Sequence, residues 1–190
     1  MWASVEPWSR TPSDARDLLG DDLARYQRST RVAFRRRLVA SRAMAQAVAE
    51  AALGRPVRLA KDPRGRPSLT GESAVDVSLA HTGDVLVTAL SRAGRVGVDV
   101  EVRDRPLRTP AFVARACHPS ETDLSTEDMV WLWTAKEALA KASGEGLALD
   151  FRIIQAAHPP AGWRVRSAIV ADRYRITTAV ESAVEGKAKW

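Results

Sequence analysis

The chain has 190 residues, is 45% hydrophobic and carries a formal charge of +6, which allows a packed core of one domain or two intimate halves. No apolar run approaches the roughly 18 residues of a membrane span, the N-terminus lacks the basic start and apolar centre of a signal peptide, and the lone Cys117 excludes an internal disulfide or a cysteine-rich zinc site. A cytoplasmic protein with no membrane partner is expected, and its basic balance favours an anionic partner.

In chain order, the first twenty residues, with Pro7 and Pro12, read as an irregular arm leading into a short helix. From Thr30 to about Leu53 the text is rich in helix formers and free of Gly and Pro. Its apolar positions recur at three- and four-residue steps, and Gly54 is placed to stop it. The N-terminal half of that helix carries Arg31, Arg35, Arg36, Arg37 and Arg42. A strand is predicted at Val57 to Ala60, and Asp62-Pro63 with Gly65-Arg66-Pro67 marks a tight loop. "AVDVSLAH", "VLVTAL" and "RVGVDVEVR" then read as consecutive antiparallel strands separated by Gly-containing turns.

A short helix is predicted around Thr109 to Cys117. Cys117 stands beside His118, but sequence neighbours rarely have the geometry of a nucleophilic pair, so a structural thiol is expected. "STEDMVWLWTAKEALAKASG" is the clearest helix: Ser125 caps it, acids fill its first turn and Gly144 ends it. "FRIIQAA", "WRVRSAIV" and "YRITTAVE" read as three further strands. Helix followed by strands thus occurs twice, which predicts an α+β fold rather than alternating α/β.

"RVGVDVEVR" places Val96, Val98, Val100 and Val102 on one face of a strand and Asp99 with Glu101 on the other. Two acids at i and i+2 repel unless they share a cation, and oxygen donors favour magnesium. The alternative is an edge strand with an acidic solvent face. On the second long helix Trp133, Glu137 and Lys141 fall at i, i+4 and i+8, along one stripe. Glu137 with Lys141 reads either as a surface ion pair or, if the strand packs nearby, as a third acid with a phosphate-binding lysine. His81 at a strand end and Arg66 in a rigid loop are structural residues or ligand contacts, depending on whether they face the same anion.

"GVDVE", followed about thirty-two residues later by "WTAKEALAK", resembles the two signature motifs of the 4′-phosphopantetheinyl transferases, (I/V)-G-(I/V)-D-(I/V)-E and (F/W)-x-x-K-E-x-x-x-K. "GRP" at 65–67 and "VSLAHT" at 77–82 look like the family's upstream motifs in the same order. The resemblance runs from about Arg31 to Phe151 and suits the Sfp-type, single-chain branch.

It implies an enzyme that moves the 4′-phosphopantetheine arm of coenzyme A to a serine of an acyl or peptidyl carrier protein, releasing adenosine 3′,5′-bisphosphate. Such activation serves fatty acid, polyketide or nonribosomal peptide synthesis. The resemblance further implies two similar halves related by a pseudo-twofold, 1–96 and 97–190, each a long helix on an antiparallel sheet, with coenzyme A in the cleft between them. Asp99, Glu101 and Glu137 match the magnesium ligands, manganese being an alternative ion, and Glu137 also serves as or orients the base. Lys141 matches the lysine on the transferred phosphate, and Lys136 its neighbour near the metal. His81 resembles the histidine near the 3′-phosphate, Arg66 stands near the adenosine end, and Arg35, Arg37 and Arg42 are candidates for the 3′-phosphate clamp. Two positions depart from the family pattern: Ala80 where Ser often precedes the histidine, and Thr134 where Ser or Cys often follows the tryptophan. A monomer is expected, with no nucleic-acid partner. The rivals are a basic nucleic-acid-binding module and an inactive relative that only binds coenzyme A or a carrier. The first lacks any aromatic-plus-basic motif, and the second is disfavoured by the intact acids and Lys141.

Overall fold

The computed structural model describes residues 2–4 and 12–182. Residues 5–11, part of the expected irregular arm, lie outside the described residues. Strand β1 (Trp2–Ser4) pairs antiparallel with residues 85–87. Helix α1 (Pro12–Leu19), a 3-10 turn (Gly20–Asp22) and α2 (Leu23–Arg28) precede the long helix α3 (Val32–Leu53). Gly54 ends α3 in the left-handed conformation, φ 69°, with its N–H on Glu50 O, the stop that glycine permits without a Cβ penalty. Strands β2 (Leu59–Lys61) and β3 (Pro67–Leu69) form a two-stranded ribbon. Its loop is tied by Asp62, whose carboxylate accepts from the N–H groups of Arg64 and Arg66 at 2.9 Å each.

Strands β4 (Asp76–Thr82) and β5 (Val85–Ser91) make a hairpin in register Asp76↔Ser91 to Thr82↔Val85, with β1 on its outer edge. Helix α3 packs on this sheet, and Ala49, Val57, Leu69 and Val77 form the core between them.

The second half opens with β6 (Val96–Val102), followed by α4 (Pro110–Ala116), α5 (Thr126–Ser143), β7 (Trp163–Val170) and β8 (Tyr174–Glu181). Its sheet runs β6-β8-β7, all antiparallel, with Asp99↔Thr177 and Thr177↔Ser167 in one row. α5 covers one face of that sheet. Its ends follow the sequence: the Ser125 hydroxyl accepts from Asp128 N at 3.1 Å, and Gly144 at φ 79° closes the helix. The architecture is α+β, a long helix against antiparallel strands in each half.

"FRIIQAA" is not a strand. Residues Phe151–Ile153 form a 3-10 turn capped by Asp150, and Gln155 makes only an isolated bridge to His158. Phe151 and Ile154 are drawn into the core beneath α5 instead of alternating along a sheet. Cys117 is buried, with its thiol 3.6 Å from Met129 Sδ.

Candidate active site

β6 is an edge strand of its own ladder, yet neither face is open. Asp99 and Glu101 are only 7% and 8% exposed, so the alternative of an acidic solvent face on this strand does not hold. Its valine face packs on β4 and β5 through Ala80, Val87, Val98 and Val100. Its open edge is met by β4 running alongside: Val96 N–H donates to Asp76 Oδ2 at 2.6 Å and Val98 N–H to Ser78 Oγ at 3.1 Å. Further on, the Thr82 hydroxyl donates to Glu101 Oε2 at 3.0 Å. The end of β4 therefore sits at the second acid.

The acid face of β6 lies against α5 at close range. A Cβ on Gly97 would stand 1.9 Å from Ala138 O and 2.6 Å from Ala142 N, so only glycine lets the helix backbone approach this strand. That approach brings Lys141 Nζ within 2.7 Å of Asp99 Oδ1 and 3.0 Å of Val98 O. Glu101 is ion-paired to Arg105 as well as bonded to Thr82. Asp99 Oδ2 is buried with no hydrogen-bond partner.

The electrostatics follow from this crowding. Burial pushes the Asp99 carboxyl above its usual range; Lys141 opposes the shift, and Glu101 adds to it. Burial likewise raises Glu137, with Lys141 and Arg115 pulling against it while Asp99 and Glu101 push the same way. Glu137 thus feels both strand acids. An orphaned carboxylate oxygen and a buried excess of negative charge suit a hard cation, which needs only one or two protein carboxylates when waters and phosphate complete its shell. Among the described residues no three acids or imidazoles converge into a complete metal site.

The remaining candidates divide. His81 is exposed on β4, beside Thr82, and makes no hydrogen bond among the described residues. Arg37 is partly exposed and makes no ion pair among the described residues. Arg35 stacks its guanidinium 4.1 Å from the Tyr26 ring centroid. Arg42 is buried and ion-paired to Asp22, which also pairs with Lys61, so this arginine is engaged in holding the 3-10 turn against α3. Nothing in the sequence pattern singled out Asp22, because its partners lie 20 and 39 residues away. Arg66 is committed to Asp76 and to Val96 O at 2.6 Å.

Lys136 departs most from expectation. It is fully buried, and its ammonium donates to Ala116 O at 2.8 Å, Glu121 Oε2 at 2.5 Å and Phe151 O at 2.9 Å. All three of its N–H donors are spent on protein acceptors, and one residue of helix, about 100°, turns it away from Glu137. Burial lowers its pKa and the Glu121 contact opposes that shift. Trp133 shares the helical spacing of Glu137 and Lys141 but stacks edge-on with Phe112 and Phe151, at 5.3 and 5.4 Å between centroids.

Residues 95–178, which carry β6, α4, α5, β7 and most of β8, match the family model of the 4′-phosphopantetheinyl transferase superfamily. The match lies in the second half of the chain, and curated relatives are similar to the chain over a stretch as long or longer. The chain is 27% identical over 157 residues to the 4′-phosphopantetheinyl transferase HetI of Nostoc sp., a stretch covering 75% of this chain and 66% of HetI. It is 34% identical over 90 residues to the 4′-phosphopantetheinyl transferase AcpT of Escherichia coli K12, covering 43% of this chain and 46% of AcpT. The matched stretches thus span about two thirds of HetI and under half of AcpT. The superfamily match covers both motifs whose side chains meet across Gly97.

Proposed function

We propose that this protein is an enzyme that transfers the 4′-phosphopantetheine arm of coenzyme A to a serine of an acyl or peptidyl carrier protein. The observation that carries this reading is the contact between β6 and α5. Gly97 admits the helix closely enough for Lys141 to reach Asp99 at 2.7 Å, so two motifs far apart in sequence share one site.

In this reaction the serine oxygen bonds to the phosphorus that bears pantetheine. The pyrophosphate P–O bond breaks, adenosine 3′,5′-bisphosphate leaves, and the serine proton must be accepted. Glu137 is suited to accept it, since it lies near enough to Asp99, Glu101 and Lys141 to feel the charge of each. Lys141 spends two N–H donors on Asp99 and Val98 O, which leaves one of its three for a phosphate oxygen. Asp99 and Glu101, with Glu137 beside them, would hold a magnesium or manganese ion. Such an ion supplies charge neutralisation to the pyrophosphate. His81, exposed at the end of β4, is available to the 3′-phosphate region of coenzyme A, and Arg37 on α3 is the least committed of the three proposed clamp arginines.

The test is intact-protein mass spectrometry of an apo carrier incubated with this protein, coenzyme A and magnesium, with a parallel EDTA reaction. Gain of one phosphopantetheine arm, abolished by EDTA, is the expected result. A carrier unchanged across acyl and peptidyl types would overturn the assignment, and a gain that survives EDTA would remove the metal from it.

A further inference from the structure

Val96, the first residue of β6, is held by both of its peptide groups from the other half of the chain. Its N–H donates to Asp76 Oδ2 at 2.6 Å, and its carbonyl accepts from Arg66 Nη2 at 2.6 Å. Arg66 and Asp76 are themselves ion-paired, and Arg66 Nη1 also reaches Ala142 O at 3.5 Å. Asp76 begins β4 and Arg66 sits in the β2–β3 loop, while Ala142 belongs to the last turn of α5. The Arg66 side chain is only 10% exposed. This guanidinium is therefore a three-way joint between the loop, the start of β6 and the end of α5. It lies one residue from Gly97, where strand and helix already touch.

We propose that Arg66 with Asp76 is a positioning pair that sets the offset between β6 and α5, and hence the spacing of Asp99 and Glu101 from Glu137 and Lys141. It acts on the cation site, not on the adenosine end of coenzyme A to which the sequence assigned Arg66. The geometry explains why a charge pair suits this place. A planar guanidinium that donates through Nη2 to Asp76 and Val96 O and through Nη1 to Ala142 O fixes orientation as well as distance, which a single ammonium cannot do. The buried carbonyls of Val96 and Ala142 would lose a charged donor if it were removed. The inference rests on the reading of Asp99 and Glu101 as cation-binding acids.

The experiment titrates Mn2+ into the metal-free protein by electron paramagnetic resonance and, separately, coenzyme A by calorimetry without metal. The proteins compared are the wild type, Arg66→Ala, Arg66→Lys and Asp76→Asn. Arg66→Ala is expected to weaken Mn2+ binding by about ten- to a hundred-fold, the range seen when residues supporting metal ligands are lost, with coenzyme A affinity nearly unchanged. Arg66→Lys keeps the charge but reaches fewer acceptors, so it should fall between wild type and alanine. It also keeps the test available if the alanine variant unfolds. Loss of coenzyme A affinity with Mn2+ binding intact would make Arg66 a coenzyme ligand and overturn the proposal. Equal Mn2+ affinity in all four proteins would overturn the positioning role alone. A wild type that binds no Mn2+ would overturn the reading of the acids and the proposal with it.

Discussion

At the scale of single residues, Gly97 and Asp99 make opposite demands on the fold. Gly97 is required by space: a methyl group there meets the backbone of Ala138 and Ala142, not the movable end of a side chain. Gly97→Ala must push α5 off the sheet, and overpacking of this kind costs about 1–3 kcal/mol. Reduced stability in urea together with loss of carrier modification is the expected outcome. Full activity at wild-type stability would show that the helix is not held at this distance. Asp99 is instead a cost to the metal-free fold. Its folded pKa lies above the unfolded value, so the fold disfavours the carboxylate at neutral pH, and the stability contributed by the protonated form is lost as pH rises through the folded pKa. Asp99→Asn removes that cost while keeping an acceptor for Lys141. The metal-free variant should therefore unfold at the same temperature as wild type or higher. On the proposed reading, added magnesium should raise the unfolding temperature of the wild type by binding only the folded state, and should not do so in the variant. A lower metal-free unfolding temperature would show that the Asp99–Lys141 attraction outweighs desolvation.

At the scale of elements, α5 carries two different chemistries on two faces, and the sequence revealed one of them. Lys141 and Glu137 face the β6 acids, whereas Lys136 faces inward and joins Ala116, Glu121 and Phe151 beneath the helix. Glu121 completes the joint by accepting from Ala156 N at 2.7 Å and His118 N at 2.9 Å. Removing one member of a buried pair strands the other, at about 3–5 kcal/mol. Lys136→Met should lower stability to that extent, and adding Glu121→Gln should restore part of it. Chemical denaturation of the single and double variants measures both, and additive losses would mean that the pair is not coupled. The caps, the alternation of β6 and the length of α5 were legible because each is written in neighbouring residues: Ser125, Gly144, the valines. The role of Lys136 was not, because its acceptors are two backbone carbonyls and an acid 15 to 20 residues away. The same joint explains the failed strand at 151–157. Phe151 O and Ala156 N, groups a strand would offer to a neighbour, are already bonded to Lys136 and Glu121. Arg66 was found as a residue of interest from "GRP", but its partners could not be, since Val96 and Ala142 lie 30 and 76 residues on.

At the scale of the whole molecule, the charge of +6 is unevenly committed. Arg42 and Lys136 are buried in pairs and Arg66 is mostly buried in one, while Arg36 and Arg31 on and before α3 are exposed, with Arg37 partly so. Buried pairs keep their strength in salt, whereas exposed charges are screened over about 8 Å at physiological ionic strength and about 3 Å at 1 M. The fold should accordingly be insensitive to salt, and the proposed encounter with a carrier protein, if that partner is acidic, should not. Raising potassium chloride from about 50 mM to about 500 mM is expected to increase the apparent KM for the carrier several-fold with little change in kcat, because steering acts on encounter and not on the bonded site. The unfolding temperature measured over the same range separates the two effects. A flat carrier KM would remove the exposed arginines from docking. A falling kcat with an unchanged unfolding temperature would instead place salt-sensitive charge at the reacting phosphate, where Lys141, 28% exposed in its side chain, is the residue open to screening.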